Sequence, residues 1–277
     1  MVKVVSSRPR PRALREFRPF CRSSAATLLF AVALLTQAAR ASADDIVVMT
    51  SGAFTAAYLE LSEQFSRATG HRFITATTTM GVGRESIPNR LAAEEPADLV
   101  IVSAPDLESL IGQGRIVPGS RMDLAKSSIA LAVRTGAAVP DISSVDALKT
   151  ALLSAKSVAY SASVSGDYLV SNLFPRLGIA EQMKTKGKRI ERERVGAVIA
   201  RGEAEMGFQQ VSELRPVPGI QIVGLLPPEV QLVTVFAAGI AAHSTRPDVV
   251  REFLAFVVTP AAQAVIVKTG LQQLDGR

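Results

Sequence analysis

The pattern of apolar and polar residues predicts alternating strands and helices. In "DDIVVMTSGAFTAAYLELSEQF", residues 44–65, an apolar run of four residues ends in a turn of small polar residues. Apolar residues then recur three and four apart at Tyr58, Leu61 and Phe65, which is typical of an amphipathic helix. The same order of strand, turn and helix repeats along the chain. The sequence therefore predicts an α/β fold with mostly parallel sheets flanked by helices.

The βα units form two groups of about 100 residues each, close to the usual size of a domain. Strand-rich passages near residues 127–134 and 230–242 are predicted to cross between the groups. We therefore predict two lobes. Residues 44–126 would form the first part of lobe one, 127–235 would form lobe two, and 236–277 would return to lobe one. Ligands of such sheets bind beyond the carboxyl ends of the strands, here in a cleft between the lobes.

The charge of the 277-residue chain is concentrated at its start. The net charge of +6 would suggest a nucleic acid or an anionic membrane as partner. However, residues 1–43 hold eight of the 31 basic residues and one of the 25 acidic residues, which leaves 23 basic and 24 acidic residues. The remainder is close to neutral, so we expect no nucleic-acid partner.

Residues 1–43 have the pattern of a secretory signal peptide. A basic stretch precedes the apolar run Ala25–Leu35, and the small residues Ala41, Ser42 and Ala43 follow. The run is shorter than the roughly 20 residues that span a bilayer, although a retained anchor is the alternative. We predict cleavage after Ala43 and a periplasmic protein. The mature chain would lack the single cysteine, Cys21, and with it any disulfide or thiolate.

The residues suited to catalysis form no recognisable set. His71 and His243 are the two histidines, and neither has metal-binding spacing. The glycine-containing stretch "MGVGRES" lacks the Lys-Ser/Thr of a phosphate loop, and "SVSGDYL" lacks the G-x-S-x-G of a nucleophilic serine. We therefore predict no catalytic residue, no metal, no cofactor and no enzymatic activity.

Four turns that follow predicted strands favour the binding of an anion. They carry small or polar residues at 50–55, 80–86, 161–168 and 208–213. Three precede predicted helices, whose N-termini present free N–H groups and partial positive charge. Each turn alone is explained as an ordinary helix cap. Together, in an exported two-lobed chain, they indicate capture of a small anion.

The chain resembles the exported molybdate-binding proteins of ABC uptake systems over nearly all of residues 44–277. The segments that carry the resemblance are "IVVMTSGAFTAAYLELSEQFSRATG", "RLAAEEPADLVIVSA", "SVAYSASVSGDYLVSNLFPRLGI" and "ARGEAEMGFQQVSEL". The resemblance implies the type II periplasmic binding-protein fold, with two lobes, two crossing strands and a ligand in the cleft. It also implies a permease partner in the inner membrane and no enzymatic activity.

The resemblance also indicates where ligand residues would lie. The serine in the family's first turn corresponds to Ala53, with Ser51 two residues earlier, and its second serine falls near Arg84. A backbone contact falls at Ser165, and the family's tyrosine corresponds to Gln210. An arginine suits a planar carboxylate, so an organic carboxylate is favoured over molybdate. The predicted ligand-binding residues are Ser51, Gly52, Ala53, Thr55, Arg84, Ser163, Ser165, Gly166 and Gln210.

These inferences predict a monomeric solute-binding protein that delivers a small anion, a molybdate-like oxyanion or a carboxylate, to an ABC permease. Two alternatives belong to other classes. One is a ligand-sensing domain that signals to a membrane partner. The other is a secreted enzyme on a similar fold, which the missing catalytic set disfavours.

Overall fold

The computed structural model describes residues 43–76, 78 and 83–275. The predicted signal peptide lies outside the described residues except for Ala43, as does Cys21. Among the described residues no single helix is long and apolar enough to span a bilayer. One pair, Pro247–Val257 with Pro260–Lys268, meets the length and composition together but bends by 75° between its helices.

The described residues form nine strands in one curled sheet with the order β2-β1-β3-β9-β4-β7-β5-β6, and β8 also pairs with β4. The pairs β1–β2, β1–β3, β5–β6 and β5–β7 are parallel. The strands are β1 Asp45–Thr50, β2 Arg72–Ala76, β3 Leu99–Ser103, β4 Met122–Arg134, β5 Val158–Ser161, β6 Gly187–Ile190, β7 Met206–Gln210, β8 Ile220–Leu225 and β9 Val233–Ile240.

Helices cover both faces of the sheet. They are α1 Gly52–Thr69, α2 Ile87–Ala92, α3 Ala104–Gly112, α4 Val145–Ser154, α5 Val164–Tyr168, α6 Phe174–Arg176, α7 Ala180–Lys186, α8 Val195–Ala200, α9 Val211–Leu214, α10 Pro247–Val257 and α11 Pro260–Lys268. A π-helical turn, Leu169–Leu173, joins α5 to α6, and a 3₁₀ turn, Pro228–Val230, precedes β9.

Two long strands connect the two lobes of the sheet. In β4, residues Met122–Ser128 pair with β9, whereas Ile129–Val133 pair with β7. We call the part built on β1, β2 and β3 lobe one, and the part built on β5, β6 and β7 lobe two. The predicted boundaries after residues 126 and 235 fall within β4 and β9, so the lobes meet inside continuous strands.

Separate apolar clusters support the two lobes. In lobe one, Tyr58 of α1 is fully buried and packs edge-on against Phe253 of α10, with ring centroids 6.5 Å apart. In lobe two, Leu148 and Phe208 belong to a different cluster. Each large side chain buried in this way contributes about 1.5–3 kcal/mol to stability. The fold therefore has a core on each side of the crossing strands.

The predicted alternation of strands and helices is confirmed, with several differences. Helix α7 and strand β6 were not predicted, β4 begins at Met122 instead of Ser127, and β9 begins later than predicted. Strand β6 was not predicted, because "GKRI" shows no apolar alternation; its extended form comes from parallel pairing with β5. The last crossing strand begins at Val233 rather than near residue 230. The reason is the 3₁₀ turn that starts at Pro228, since proline cannot donate a hydrogen bond to a ladder.

Candidate functional site

A cavity of about 200 Å³ lies where the carboxyl ends of strands from both lobes meet. Its size suits a ligand smaller than the drug-sized molecules that occupy pockets of about 300–1,000 Å³. Lobe one supplies Ser51, Gly52, Ala53, Thr78, Ser103 and Asp106, and β9 supplies Phe236. Lobe two supplies Ser161, Ala162, Ser163, Val164, Ile190, Glu191, Arg192, Glu193, Arg194, Gln209, Gln210 and Glu213.

The turn after β1 brings an unsatisfied hydroxyl to this cavity. Ser51 is the N-cap of the 18-residue helix α1, but its side chain makes no capping hydrogen bond. Its Oγ is buried and has no hydrogen-bond partner among the described residues. A buried polar atom without a partner costs about 1–3 kcal/mol, which a ligand oxygen would relieve. Thr55, also predicted to bind ligand, instead donates to the Ser51 carbonyl oxygen at 3.0 Å.

Glu213 is the ionisable group whose protonation the site perturbs most. It lies in α9, its side chain is buried, and it lines the cavity. Burial raises the pKa of Glu213 to about 7, although the positive charge of Arg194 and a hydrogen bond from Gln209 oppose that rise. A carboxyl group with a pKa near neutrality can both accept and return a proton at physiological pH.

Gln209 orients the carboxyl group of Glu213 through a relay of two hydrogen bonds. The backbone N–H of Val195 donates to Gln209 Oε1 at 2.9 Å. This contact turns the amide nitrogen toward Glu213, and Nε2 donates to Glu213 Oε1 at 3.0 Å. Oε1 is held in this way, whereas Oε2 accepts no hydrogen bond from the described residues.

Three serine hydroxyls cluster in the turn after β5. Ser161 Oγ lies 2.8 Å from Ser163 Oγ and 3.0 Å from Ser165 Oγ. Ser161 and Ser163 line the cavity, whereas Ser165 is fully buried behind them. The predicted residues Ser163 and Ser165 are therefore brought together, and Ser161 joins them. Neutral hydroxyl donors of this kind suit the oxygen atoms of a small anion.

Two other predicted residues contact the framework of the protein. Gly166 lies so close to β5 that a Cβ atom there would be 1.7 Å from the Ser161 carbonyl oxygen. Gln210 is buried, and its side-chain amide lies 3.1 Å from Thr234 Oγ1 of β9. With the amide flipped, its nitrogen also donates to Ser127 and Ser128 of β4. Gln210 thus joins the cavity wall to both crossing strands.

The arginines of the cavity are Arg192 and Arg194, which sequence reasoning missed. Arg84 is exposed and does not line the cavity. Among the described residues, neither Arg192 nor Arg194 forms an ion pair within 4.0 Å. The acidic residues beside them are engaged by other arginines: Glu191 by Arg189 at 3.1 Å, and Glu193 by Arg201 at 2.8 Å. The alternating signal "ERER" at 191–194 was available in the sequence.

Asp106 adds a second carboxyl group, from lobe one. It lies in the first turn of α3, and the Ser103 hydroxyl donates to its Oδ2 at 2.5 Å. Burial raises the pKa of Asp106, the hydrogen bond from Ser103 lowers it, and the nearby charge of Asp167 raises it. Among the described residues, no three His, Cys, Asp or Glu side chains are grouped so as to hold a metal ion.

The family model for bacterial extracellular solute-binding proteins matches residues 46–272. The chain belongs to this family. It is also 42% identical to a protein named aconitate isomerase from a Pseudomonas species, over 84% of this chain and 89% of that protein. An extracellular family agrees with export of this member, while cleavage after Ala43 stays a prediction.

Solved structures show the same fold at low sequence identity. The periplasmic molybdate-binding protein of Azotobacter vinelandii superposes with a TM-score of 0.69 at 19% identity, covering 83% of this chain and all of the other. Peb3 from Campylobacter jejuni gives a TM-score of 0.64 at 12% identity, with the same coverage. The predicted two-lobed type II periplasmic binding-protein fold and the resemblance to molybdate-binding proteins are therefore confirmed.

The prediction that the chain is not an enzyme is wrong, because a relative at 42% identity carries an enzyme's name. That prediction rested on the absence of a nucleophile, a histidine pair or a metal site. Proton transfer needs none of these, since a single carboxyl group with a suitable pKa suffices. Glu213 acquires that pKa through burial, which the sequence does not display.

Proposed function

We propose that this chain is an isomerase that shifts a proton within aconitate, an unsaturated tricarboxylate, and that Glu213 carries the proton. The observation that supports it best is the buried Glu213 carboxyl group, whose pKa is about 7, in the wall of a cavity that also holds two arginines. The aconitate isomerase from Pseudomonas, 42% identical, supports the choice of substrate.

The reaction requires only the movement of one proton. Aconitate has a CH₂ group next to a carbon–carbon double bond, and a carboxylate on each of three carbons. Ionised Glu213 would remove a proton from the CH₂ carbon, leaving an allylic carbanion whose charge spreads onto the terminal carboxylate. Return of the proton to the former vinyl carbon moves the double bond by one position. The new double bond can form in the cis or the trans geometry, so the two isomers interconvert without an added reactant.

The cavity offers partners for the carboxylates of this substrate. Arg192 and Arg194 supply cations that form no ion pair within 4.0 Å among the described residues, and a guanidinium group binds a carboxylate through two parallel hydrogen bonds. Ser51 Oγ supplies a buried hydroxyl that lacks a partner within the described part of the chain. The hydroxyls of Ser161 and Ser163 supply further neutral donors. Charge that develops on a carboxylate during deprotonation is stabilised by such fixed donors.

The environment of Glu213 suits repeated proton transfer. Burial destabilises its ionised form, which makes it a stronger base than an exposed glutamate. The charge of Arg194 lowers the pKa of Glu213, so Glu213 is still ionised in a fraction of the protein molecules at neutral pH. A base with a pKa near the working pH combines basicity with the correct protonation state.

The second candidate is a carrier that delivers the same kind of anion to an ABC permease. The family model and the fold of the molybdate-binding protein favour it. A carrier needs the arginines and serines of the cavity but places no demand on the pKa of Glu213. The two candidates therefore differ in whether Glu213 is needed for more than binding.

The test uses the purified protein with cis-aconitate and, separately, trans-aconitate, and follows each isomer by proton NMR. We expect interconversion by the wild type and a loss of about 10²–10⁴-fold in kcat for Glu213→Gln. Glu229→Gln, a substitution of an exposed glutamate outside the cavity wall, serves as the matched control. Binding of aconitate without interconversion would favour the carrier, and full activity of Glu213→Gln would exclude Glu213 as the base.

A further inference from the structure

Asp106 stands in the cavity without a cation to balance it. Its side chain is half-buried, and among the described residues it makes no ion pair within 4.0 Å. Its side-chain hydrogen bond comes from the neutral hydroxyl of Ser103, at 2.5 Å. An anion-binding cavity that carries an unpaired carboxylate in its wall would repel its own ligand. The presence of Asp106 therefore needs an explanation beyond general anion binding.

The charges around Asp106 do not favour its ionised form. Asp167, from α5 of lobe two, is close enough to raise the pKa of Asp106, in addition to the larger effect of burial. Asp167 is itself paired with Arg189 at 2.7 Å, so that arginine is already engaged. The other ionisable groups of the cavity wall are Glu191, Arg192, Glu193, Arg194 and Glu213, all of lobe two.

We propose that Asp106 is a specificity-determining residue that binds one carboxylate of the ligand by sharing a proton with it. A protonated Asp106 would donate a hydrogen bond to a ligand carboxylate oxygen, while its Oδ2 continues to accept from Ser103. This contact satisfies both groups without a cation and turns repulsion into attraction. The inference rests on the proposed function in one respect, since it assumes a ligand with several carboxylates.

The arrangement divides recognition between the two lobes. The arginines that line the cavity lie in lobe two and suit fully ionised carboxylates, whereas Asp106 lies in lobe one and requires a proton. A dicarboxylate satisfied by Arg192 and Arg194 would leave Asp106 without a partner. The site is therefore expected to prefer tricarboxylates and to take up a proton when one binds.

An alternative is that Asp106 serves only to begin helix α3. Its backbone N–H donates to Ser103 Oγ, the N-cap, at 3.3 Å, and an acidic residue in the first turn is favourable for a helix. Asp146 offers a matched control for this role. It lies in the first turn of α4 behind the N-cap Ser144, is exposed, and does not line the cavity.

The experiment is calorimetric titration with propane-1,2,3-tricarboxylate, the saturated analogue, which has no allylic proton and does not isomerise. Titration at pH 7.5 in buffers of different ionisation enthalpy gives the number of protons taken up per ligand bound. We expect uptake of up to about one proton by the wild type and by Asp146→Asn. Asp106→Asn, which resembles the neutral acid, is expected to lose that uptake and to bind more tightly above pH 7.5. Glu213→Gln identifies any uptake that belongs to Glu213.

The outcomes separate this inference from the proposed function. Proton uptake that disappears in Asp106→Asn supports the inference, whether or not the protein isomerises aconitate. Unchanged uptake in Asp106→Asn overturns it, and so does loss of the same uptake in Glu213→Gln alone. A lower melting temperature of Asp106→Asn with unaltered binding and proton uptake would leave Asp106 with the capping role only, which also overturns the inference.

Discussion

Oε1 of Glu213 lies so close to the Cα atom of Gly52 that a Cβ atom on Gly52 would stand 2.2 Å from this oxygen. Glu213 belongs to lobe two, whereas Gly52 is the first residue of α1 in lobe one. The carboxyl group that we propose as the base therefore rests against the N-terminal end of a helix from the opposite lobe. Because residue 52 is a glycine, no side chain occupies the position where that carboxyl group lies.

Gly52→Ala is expected to displace the Glu213 carboxyl group and to lower kcat for aconitate by at least about tenfold, because a displacement of 1 Å at a reacting group is costly. The atoms that a Cβ would meet belong to the end of the Glu213 side chain, which can move, so the variant is expected to stay folded. Gly112→Ala, at the last residue of α3 with open space around its Cα atom, is the control. Equal activity of the two variants would contradict a constraint at Gly52.

The buried Glu213 carboxyl group is expected to make stability fall as the pH rises. Its pKa is about 7 in the folded protein against 4.5 without perturbation, so between these values the folded state holds a proton that the unfolded state has lost. This contribution to the free energy of unfolding therefore decreases from about pH 4.5 to about pH 7 and stays low above that range.

Glu213→Gln removes this titration. The free energy of unfolding of the variant, measured with urea, should therefore increase relative to that of the wild type as the pH rises. The relative gain is about 3 kcal/mol at most, since one pKa unit corresponds to about 1.4 kcal/mol. The measurement compares the ligand-free proteins at several values between pH 4 and pH 8. Parallel curves for the two proteins would show that Glu213 has an ordinary pKa.

Arg194 is expected to set the pH at which the proposed isomerase becomes active. Its charge lowers the pKa of Glu213, so Arg194→Ala should shift the rise of kcat/KM with pH to higher pH, whereas Arg194→Lys keeps most of the charge. Arg192→Ala should raise KM without a comparable shift.

Arg84→Ala tests the sequence-based prediction that Arg84 binds a carboxylate. Loss of binding in Arg84→Ala alone would support that prediction over the two arginines of the cavity.

Gly166→Ala is expected to destabilise the protein by about 3 kcal/mol, because a Cβ atom there would stand 1.7 Å from the Ser161 carbonyl oxygen, which is backbone and cannot turn away. Ser165→Ala, which removes one hydroxyl and adds no atom, should cost about 1 kcal/mol. Urea unfolding measures both. A stable Gly166→Ala protein with weakened ligand binding would instead support the predicted ligand-binding role of Gly166.

Sequence pattern by itself determined the kind of fold and the order of most of its elements. Buried parallel strands such as β3 are apolar on both faces, and α1 repeats apolar residues at helical spacing, so both are visible in local sequence. The turns after the strands were also evident, because small polar residues mark them. Five of the residues named from these turns as ligand contacts do line the cavity, namely Ser51, Gly52, Ala53, Ser163 and Gln210.

Only the tertiary structure decided which groups line the cavity and which carboxyl group has a pKa near neutrality. The turn at 208–213 was visible in the sequence, but the pKa of Glu213 depends on burial between two lobes that meet through residues far apart in the chain. Likewise, no local sequence feature distinguishes Arg84 from Arg194. The packing places Arg84 at the surface and Arg194 in the cavity wall. Burial and proximity are properties of the folded chain, so a search for local motifs did not find the carboxyl group that we propose as the base.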